Sequence, residues 1–168
     1  MPLTIRAASA ADVPEMHSMI RELAEFEREL DKVVATESDL RRALFVGPVG
    51  STAGPALHAH VADIDGEVVG MALWFLSYST WTGTHGIYLE DLFVRPAARG
   101  LGVGTALLEN LAGICVERGY HRMAWSVLDW NESALGFYRS IGAEPMSEWT
   151  TYRLADEKLA VLGDAAKR

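Results

Sequence analysis

Residues 90–111 read "EDLFVRPAARGLGVGTALLENL". A hydrophobic strand runs to Val94, Pro96 ends it, and Gly100, Gly102 and Gly104 alternate ahead of a helical pattern. Glycine loses more backbone freedom on ordering than any other residue, so three of them beside a helix start imply that bare backbone is needed there. Such a loop presents successive main-chain N–H groups at a helix N-terminus, where unpaired donors and the helix dipole attract anions. Arg99 adds a fixed positive charge. The stretch predicts a strand–loop–helix unit that holds a phosphate-bearing ligand; a tight turn without a ligand is the alternative.

Outward from this unit the chain alternates strands and helices. "LTIR" (3–6) reads as a short strand. Asp12 precedes a helical pattern of Val13, Met16, Ile20, Leu23 and Phe26 as a candidate N-cap, with Pro14 in the first turn. Thr36 and Asp39 frame a capping box for a second helix. Residues 47–55 are a Gly- and Pro-rich loop, followed by two strands joined at Asp65-Gly66, a strong hairpin signal. "GIYLEDLFV" (86–94) is a further strand. The helix after the glycines puts Leu107, Leu108, Leu111, Ile114 and Cys115 on one side and stops at Gly119. Residues 121–128 read as a strand, 131–142 as a short helix N-capped by Asn131, 150–155 as a last strand, and 156–168 as a helical tail. The order predicts an α/β fold: one domain over 1–168, with a mixed central sheet, antiparallel in its first half, flanked by helices.

The 168 residues are 49% hydrophobic and 23% charged, an ordinary soluble profile, with enough chain for a core without metals or disulfides. The net charge of −8 opposes nonspecific nucleic-acid binding, which needs a basic surface. One cysteine, Cys115, excludes an internal disulfide and a cysteine-built zinc site. No signal peptide or membrane span is read, and a cytoplasmic protein is expected. His58 and His60 share a strand face, but two imidazoles without a third ligand are weak, so no metal is expected. Trp81, in a loop before the Glu90 strand, is placed to line a pocket.

Three loop types compete for residues 99–104. A Walker A loop needs Gly-Lys-Ser/Thr, and no lysine is present. A dinucleotide fingerprint is G-x-G-x-x-G on the first strand–helix unit of a parallel sheet, whereas this is G-x-G-x-G in mid-chain. The third, Arg/Gln-x-x-Gly-x-Gly/Ala of the GNAT N-acetyltransferases, matches Arg99 to Gly104. With "RAASAADVPEMHSMIRELAEFE", "YLEDLFV", "DWNESALGFYRSIGA" and the Trp81-Thr82-Gly83 turn, residues 3–155 resemble the diamine branch of that superfamily, the spermidine/spermine and thialysine acetyltransferases. The resemblance implies the GNAT fold, acetyl-CoA as co-substrate, a small-molecule amine acceptor and a homodimer.

Acetyl transfer requires an amine to lose a proton, the thioester oxygen to be stabilised, and the departing thiolate to gain a proton. Glu90 is the expected base: the resemblance implies that its strand holds the acetyl group against the amine, and a carboxylate in mid-strand is hard to expose without a purpose. Strict alternation puts Tyr88, Glu90, Leu92 and Val94 on one face, so Asp91 faces away unless a bulge intervenes; its readings are cation binding or a structural hydrogen bond. By resemblance, Tyr138 is the general acid on sulfur, and Leu92, Phe93 and Val94 face the pantetheine arm. Arg99, Gly100, Leu101, Gly102, Val103, Gly104 and Thr105 hold the diphosphate, and Asn131, Ser133 and Ala134 meet the CoA arm. Phe26, Glu27, Glu90, Asp91, Trp125 and Ser126 then line the amine site. Where the polyamine enzymes carry adjacent acids near the C-terminus, this chain has Trp149 and Thr150, with only Glu148 nearby. That departure favours a shorter diamine or a lysine-like amine over a long polycation. A protein or peptide acceptor, and a CoA-binding module without catalysis, are the competing readings.

Overall fold

Alternating hydrophobic strands separated by turn signals pair as a meander. In the computed structural model, which describes residues 2–166, β1 (Leu3–Ala7), β2 (His58–Ile64), β3 (Glu67–Ser79) and β4 (Thr84–Val94) pair antiparallel in that order. β5 (Met123–Ala124) joins β4 in parallel. The sheet is mixed with an antiparallel first half, as expected. The β2–β3 turn forms at Asp65-Gly66, both at positive φ (54° and 88°), as a two-residue hairpin of matching twist demands.

α1 (Val13–Phe26) and α2 (Glu37–Phe45) cover one sheet face. Val13, Met16, Met19, Leu40 and Leu44 pack there on Val61, Met71, Leu73 and Phe93. α3 (Val103–Arg118) covers the opposite face with Leu107, Leu108, Leu111 and Cys115 buried. Gly70 allows that approach, since a Cβ there would meet Val103 Cγ1 at 3.0 Å and the Phe93 carbonyl oxygen at 3.1 Å. Thr36 caps α2 as expected, accepting from the Asp39 N–H, while the Asp39 carboxylate accepts from the Thr36 N–H.

Asp12 does not cap α1. Its buried carboxylate accepts from the Ser9 N–H at 2.7 Å and from both terminal nitrogens of Arg6 at 2.8 Å, so the preceding turn and β1 claim it. The hydrogen bonds from Arg6 hold its pKa far below the usual carboxylate range.

The chain divides after Ser126 into two compact units. Within the second, α4 (Glu132–Ser140) begins at Asn131, whose side chain accepts the Ala134 N–H at 3.2 Å. α5 (Asp156–Ala165) forms the expected tail; residues 167–168 lie outside the described residues. Two expected strands do not form. The span 121–128 shrinks to Met123–Ala124, and 150–155 takes no regular structure. A strand exists only through its partner's hydrogen bonds, and neither stretch has a paired neighbour along its length.

Candidate active site

The register of β4 sets the site. Leu89 pairs with Trp74 and Asp91 with Leu73, so Glu90 is an extra residue with no partner on β3. This β-bulge breaks the alternation. Asp91 stands opposite Leu73 and Phe93 opposite Met71, both members of the core beneath α1, so Asp91 and Phe93 share the α1 face, and the bulge puts Tyr88, opposite Phe75, on that face as well. Glu90 is exposed, contrary to the expectation that mid-strand position would bury it; the bulge lifts it out of the packed row. Asp91 is half-buried, and burial first, then the charges of Glu90 and Glu27, push its pKa up to about 6. Glu27, just after α1, is also raised, by burial and then by Glu29. Glu27, Glu90 and Asp91 thus form one cluster of mutually repelling carboxylates, ready for a cation.

β4 also opens on its other side. Its parallel pairing with β5 consists of Ile87 with Met123 and Tyr88 with Ala124, and it ends two residues before the bulge. From Leu89 to Val94, no strand among the described residues pairs with that edge. The Tyr88 hydroxyl lies 3.1 Å from the Ser126 hydroxyl, with the Tyr88 ring stacked on Phe75, so Ser126 is tied to β4 through Tyr88; Trp125 is half-buried. Trp81, expected to line a pocket, is 88% exposed at the β3–β4 turn.

After one 3-10 turn over Pro96–Ala98, the glycine loop runs into α3. Gly100 and Gly102 have φ of 79° and 80°, the left-handed region that glycine alone enters at no steric cost. A Cβ at either would touch nothing within 4 Å, so the requirement is backbone conformation alone, and the loop surface is open. None of the main-chain N–H groups from Gly100 to Thr105 has an acceptor among the described residues. Six donors around a helix N-terminus make an anion cradle. The Arg99 guanidinium folds back along the strand. It lies 5.7 Å from the ring centre of Phe26 and 5.9 Å from that of Phe93, and its Nε donates to the Val94 carbonyl at 3.0 Å.

Comparison with known proteins decides what such a cradle beside a bulged strand belongs to. The acetyltransferase (GNAT) family matches residues 16–143. The chain belongs to that family. The acetyltransferase is 37% identical to a thialysine N-epsilon-acetyltransferase of Bos taurus, over 94% of this chain and 95% of that one. It is 32% identical to an L-ornithine N5-acetyltransferase of Arabidopsis thaliana, over 94% and 86%. Its fold matches an integron cassette protein of V. cholerae with a TM-score of 0.78 at 26% identity, covering 97% of this chain and 98% of that one.

In this acetyltransferase α4 carries Ser133, Ala134 and Tyr138 in the second unit, with Asn131 at its cap. Among the described residues, no three His, Cys, Asp or Glu side chains, the carboxylates near Asp91 included, come together in a way that could hold a metal ion. His58 stacks on Trp74 at 4.5 Å, and His60 Nδ1 accepts the Trp74 indole N–H at 3.1 Å, which gives both imidazoles packing roles. Sequence reasoning missed a groove of about 360 Å3 lined by Glu22, Glu25, Phe26, Phe93, Pro96 and Arg99. It also missed Arg95, which pairs with Glu15 and Glu22 and donates to the Val68 carbonyl, tying α1 to the start of β3. The apolar-then-acidic end of α1, "RELAEFE", was the available signal, since a helix that packs on the sheet brings its terminal acids to the strand edge.

Proposed function

We propose that this acetyltransferase moves the acetyl group of acetyl-CoA to the side-chain amine of a small lysine-like or ornithine-like molecule, by direct attack in a ternary complex. The observation that carries the reading is the bulge at Glu90. It brings Asp91 to the α1 face of β4, where the charges of Glu90 and Glu27 act on it, beside an unpaired strand edge and an anion cradle. Acetyl-CoA supplies the activated thioester. The main-chain N–H groups of Gly100 to Thr105 suit its diphosphate, and the open edge at Leu92 to Val94 suits an amide-bearing arm. Asp91, with its pKa near neutrality, accepts the proton that the ammonium loses; Glu90 and Glu27 hold the cation at the strand. This moves the base from Glu90, expected from sequence, to its neighbour, because Glu90 is exposed and Asp91 is the desolvated carboxyl. Tyr138 gives its hydroxyl proton to the departing sulfur, and Asn131 combines capping with a contact to the CoA arm; both roles rest on the family resemblance. We extend the proposal to a homodimer on the same ground, and to a cytoplasmic location on the sequence reading of a chain with one cysteine and no apolar span.

The test is a thiol-release screen with acetyl-CoA against lysine, ornithine, thialysine, 1,5-diaminopentane, spermidine and short basic peptides. Turnover on lysine-like amines is expected. Turnover on peptides alone would replace the acceptor class, and tight acetyl-CoA binding without turnover on any amine would make this a catalytically silent module.

A further inference from the structure

The row of side chains beneath α1 ends in a half-covered aromatic pair. On β3 the row runs Met71, Leu73, Phe75 at alternate positions; on β4 it runs Phe93, Asp91 and, past the bulge, Tyr88. Met71, Leu73 and Phe93 belong to the buried core, whereas Phe75 and Tyr88 are half-buried and lie outside it. Their rings stack with centres 5.0 Å apart and planes 30° apart, within the range aromatic pairs favour, and present one continuous apolar surface. The Tyr88 hydroxyl, 3.1 Å from that of Ser126, holds the ring from its far end.

Partial exposure is common for single apolar residues. This pair differs by its position. The β3 partners of Tyr88 and Asp91 are Phe75 and Leu73, two residues apart, so the rings stand roughly 7 Å along the sheet from the proposed proton acceptor, on the same face. In the other direction the row continues into Phe93, which is buried, so the open path from Asp91 along this face runs over the rings. An extended lysine side chain measures roughly 6 Å from Cα to its terminal nitrogen, a length that covers this path. We propose that Phe75 and Tyr88 are specificity-determining residues, a wall on which the methylene stem of a linear aliphatic acceptor lies while its amine meets Asp91. The inference rests on the acetyl-transfer reading and deepens it, by assigning the hydrocarbon part of the acceptor.

2,4-Diaminobutyrate, ornithine and lysine differ by one methylene at each step. With saturating acetyl-CoA at pH 8, where Asp91 is ionised, kcat/KM of the unmodified protein should rise roughly fourfold per methylene, the worth of one buried CH2. Tyr88→Ala should bring each step to within about twofold, through KM more than kcat, with the KM for acetyl-CoA unchanged. Tyr88→Phe keeps the ring and should keep the slope. Comparable kcat/KM for all three acceptors in the unmodified protein overturns the wall while leaving acetyl transfer intact. So does a Tyr88→Ala protein that loses the same factor on every acceptor, the mark of a residue that only supports the fold. A Tyr88→Phe protein whose slope collapses overturns it as well, since the hydroxyl would then select. If Tyr88→Ala does not fold, Phe75→Leu, which removes the stack, is read by the same criteria, and the unmodified series decides without either. Thiol release with none of the three overturns the acetyl-transfer reading itself, and the wall with it.

Discussion

Asp91 is held at a cost. A carboxyl whose folded pKa is about 6 against an ordinary value of 3.8 destabilises the fold wherever it is ionised in both states, because ionisation is easier in the unfolded chain. Asp91→Asn removes that penalty and should stabilise the protein at pH 7.5 by on the order of 1–2 kcal/mol, read as a rise in the chemical denaturation midpoint. The same substitution removes the proton acceptor, so kcat should fall by about 100-fold or more, the usual share of a positioned base. A variant both less stable and fully active would reverse the assignment. In the unmodified enzyme, kcat/KM should fall on the acid side with an apparent pKa near 6. Glu27→Gln removes one of the charges that raise this pKa, so the acid limb should move to lower pH while the maximum rate is kept to within about tenfold. Tyr138→Phe should cost turnover and leave acetyl-CoA affinity nearly intact, since the hydroxyl acts only when the thiolate forms. Equal losses in rate and affinity would make it a binding group instead.

The glycine loop is where element and sequence agree most closely. Gly102→Ala should cost roughly 1–2 kcal/mol of stability, because its φ of 80° strains any residue with a Cβ although the space around it is empty. If the loop relaxes to relieve that strain, the line of amides is lost, and acetyl-CoA affinity should fall with stability; calorimetric titration beside a denaturation curve reads both. Stability lost with affinity unchanged would detach the loop from the ligand. This loop, the Asp65-Gly66 hairpin, the Thr36 capping box and the apolar stripe of α3 were legible because each is a local pattern with one backbone solution. The bulge was not. One extra residue in β4 leaves no trace in composition, so the bulge could be allowed for but not located, and strict alternation separated Asp91 from Tyr88, which the register puts on one face. Arg99 was read by its neighbours in the motif, whereas the aromatic rings it rests on come from α1 and β4, distant in sequence. The strands expected at 121–128 and 150–155 had the right residues; pairing, which is not local, decided against most of one and all of the other.

Over the whole molecule the titrating groups divide by sign, and acid stability should show the division. His58 and His60 have pKa values lowered, chiefly by burial and then, for His60, by the His58 charge, with Arg118 opposing protonation of both. A base with a lowered folded pKa costs nothing while neutral in both states, so its penalty begins as pH falls below about 6.5, where only the unfolded chain readily takes the proton. Asp12 behaves in the opposite sense to Asp91. The bonds from Arg6 depress its pKa, so its contribution is complete above about 3.8 and is lost only in stronger acid. Between pH 7.5 and 5 the histidines therefore destabilise the fold while protonation of Asp91 relieves it, and the two effects partly cancel. Asp91→Asn removes only the relief. Its melting temperature should begin higher than that of the unmodified protein at pH 7.5 and then fall more steeply, the gap closing by roughly 2–3 °C by pH 5. Parallel melting curves for the two proteins across that range would mean that Asp91 titrates no differently in the folded and unfolded chains. The bulge at Glu90 would then orient that carboxyl without changing its proton affinity, and the base would have to be sought elsewhere on the α1 face.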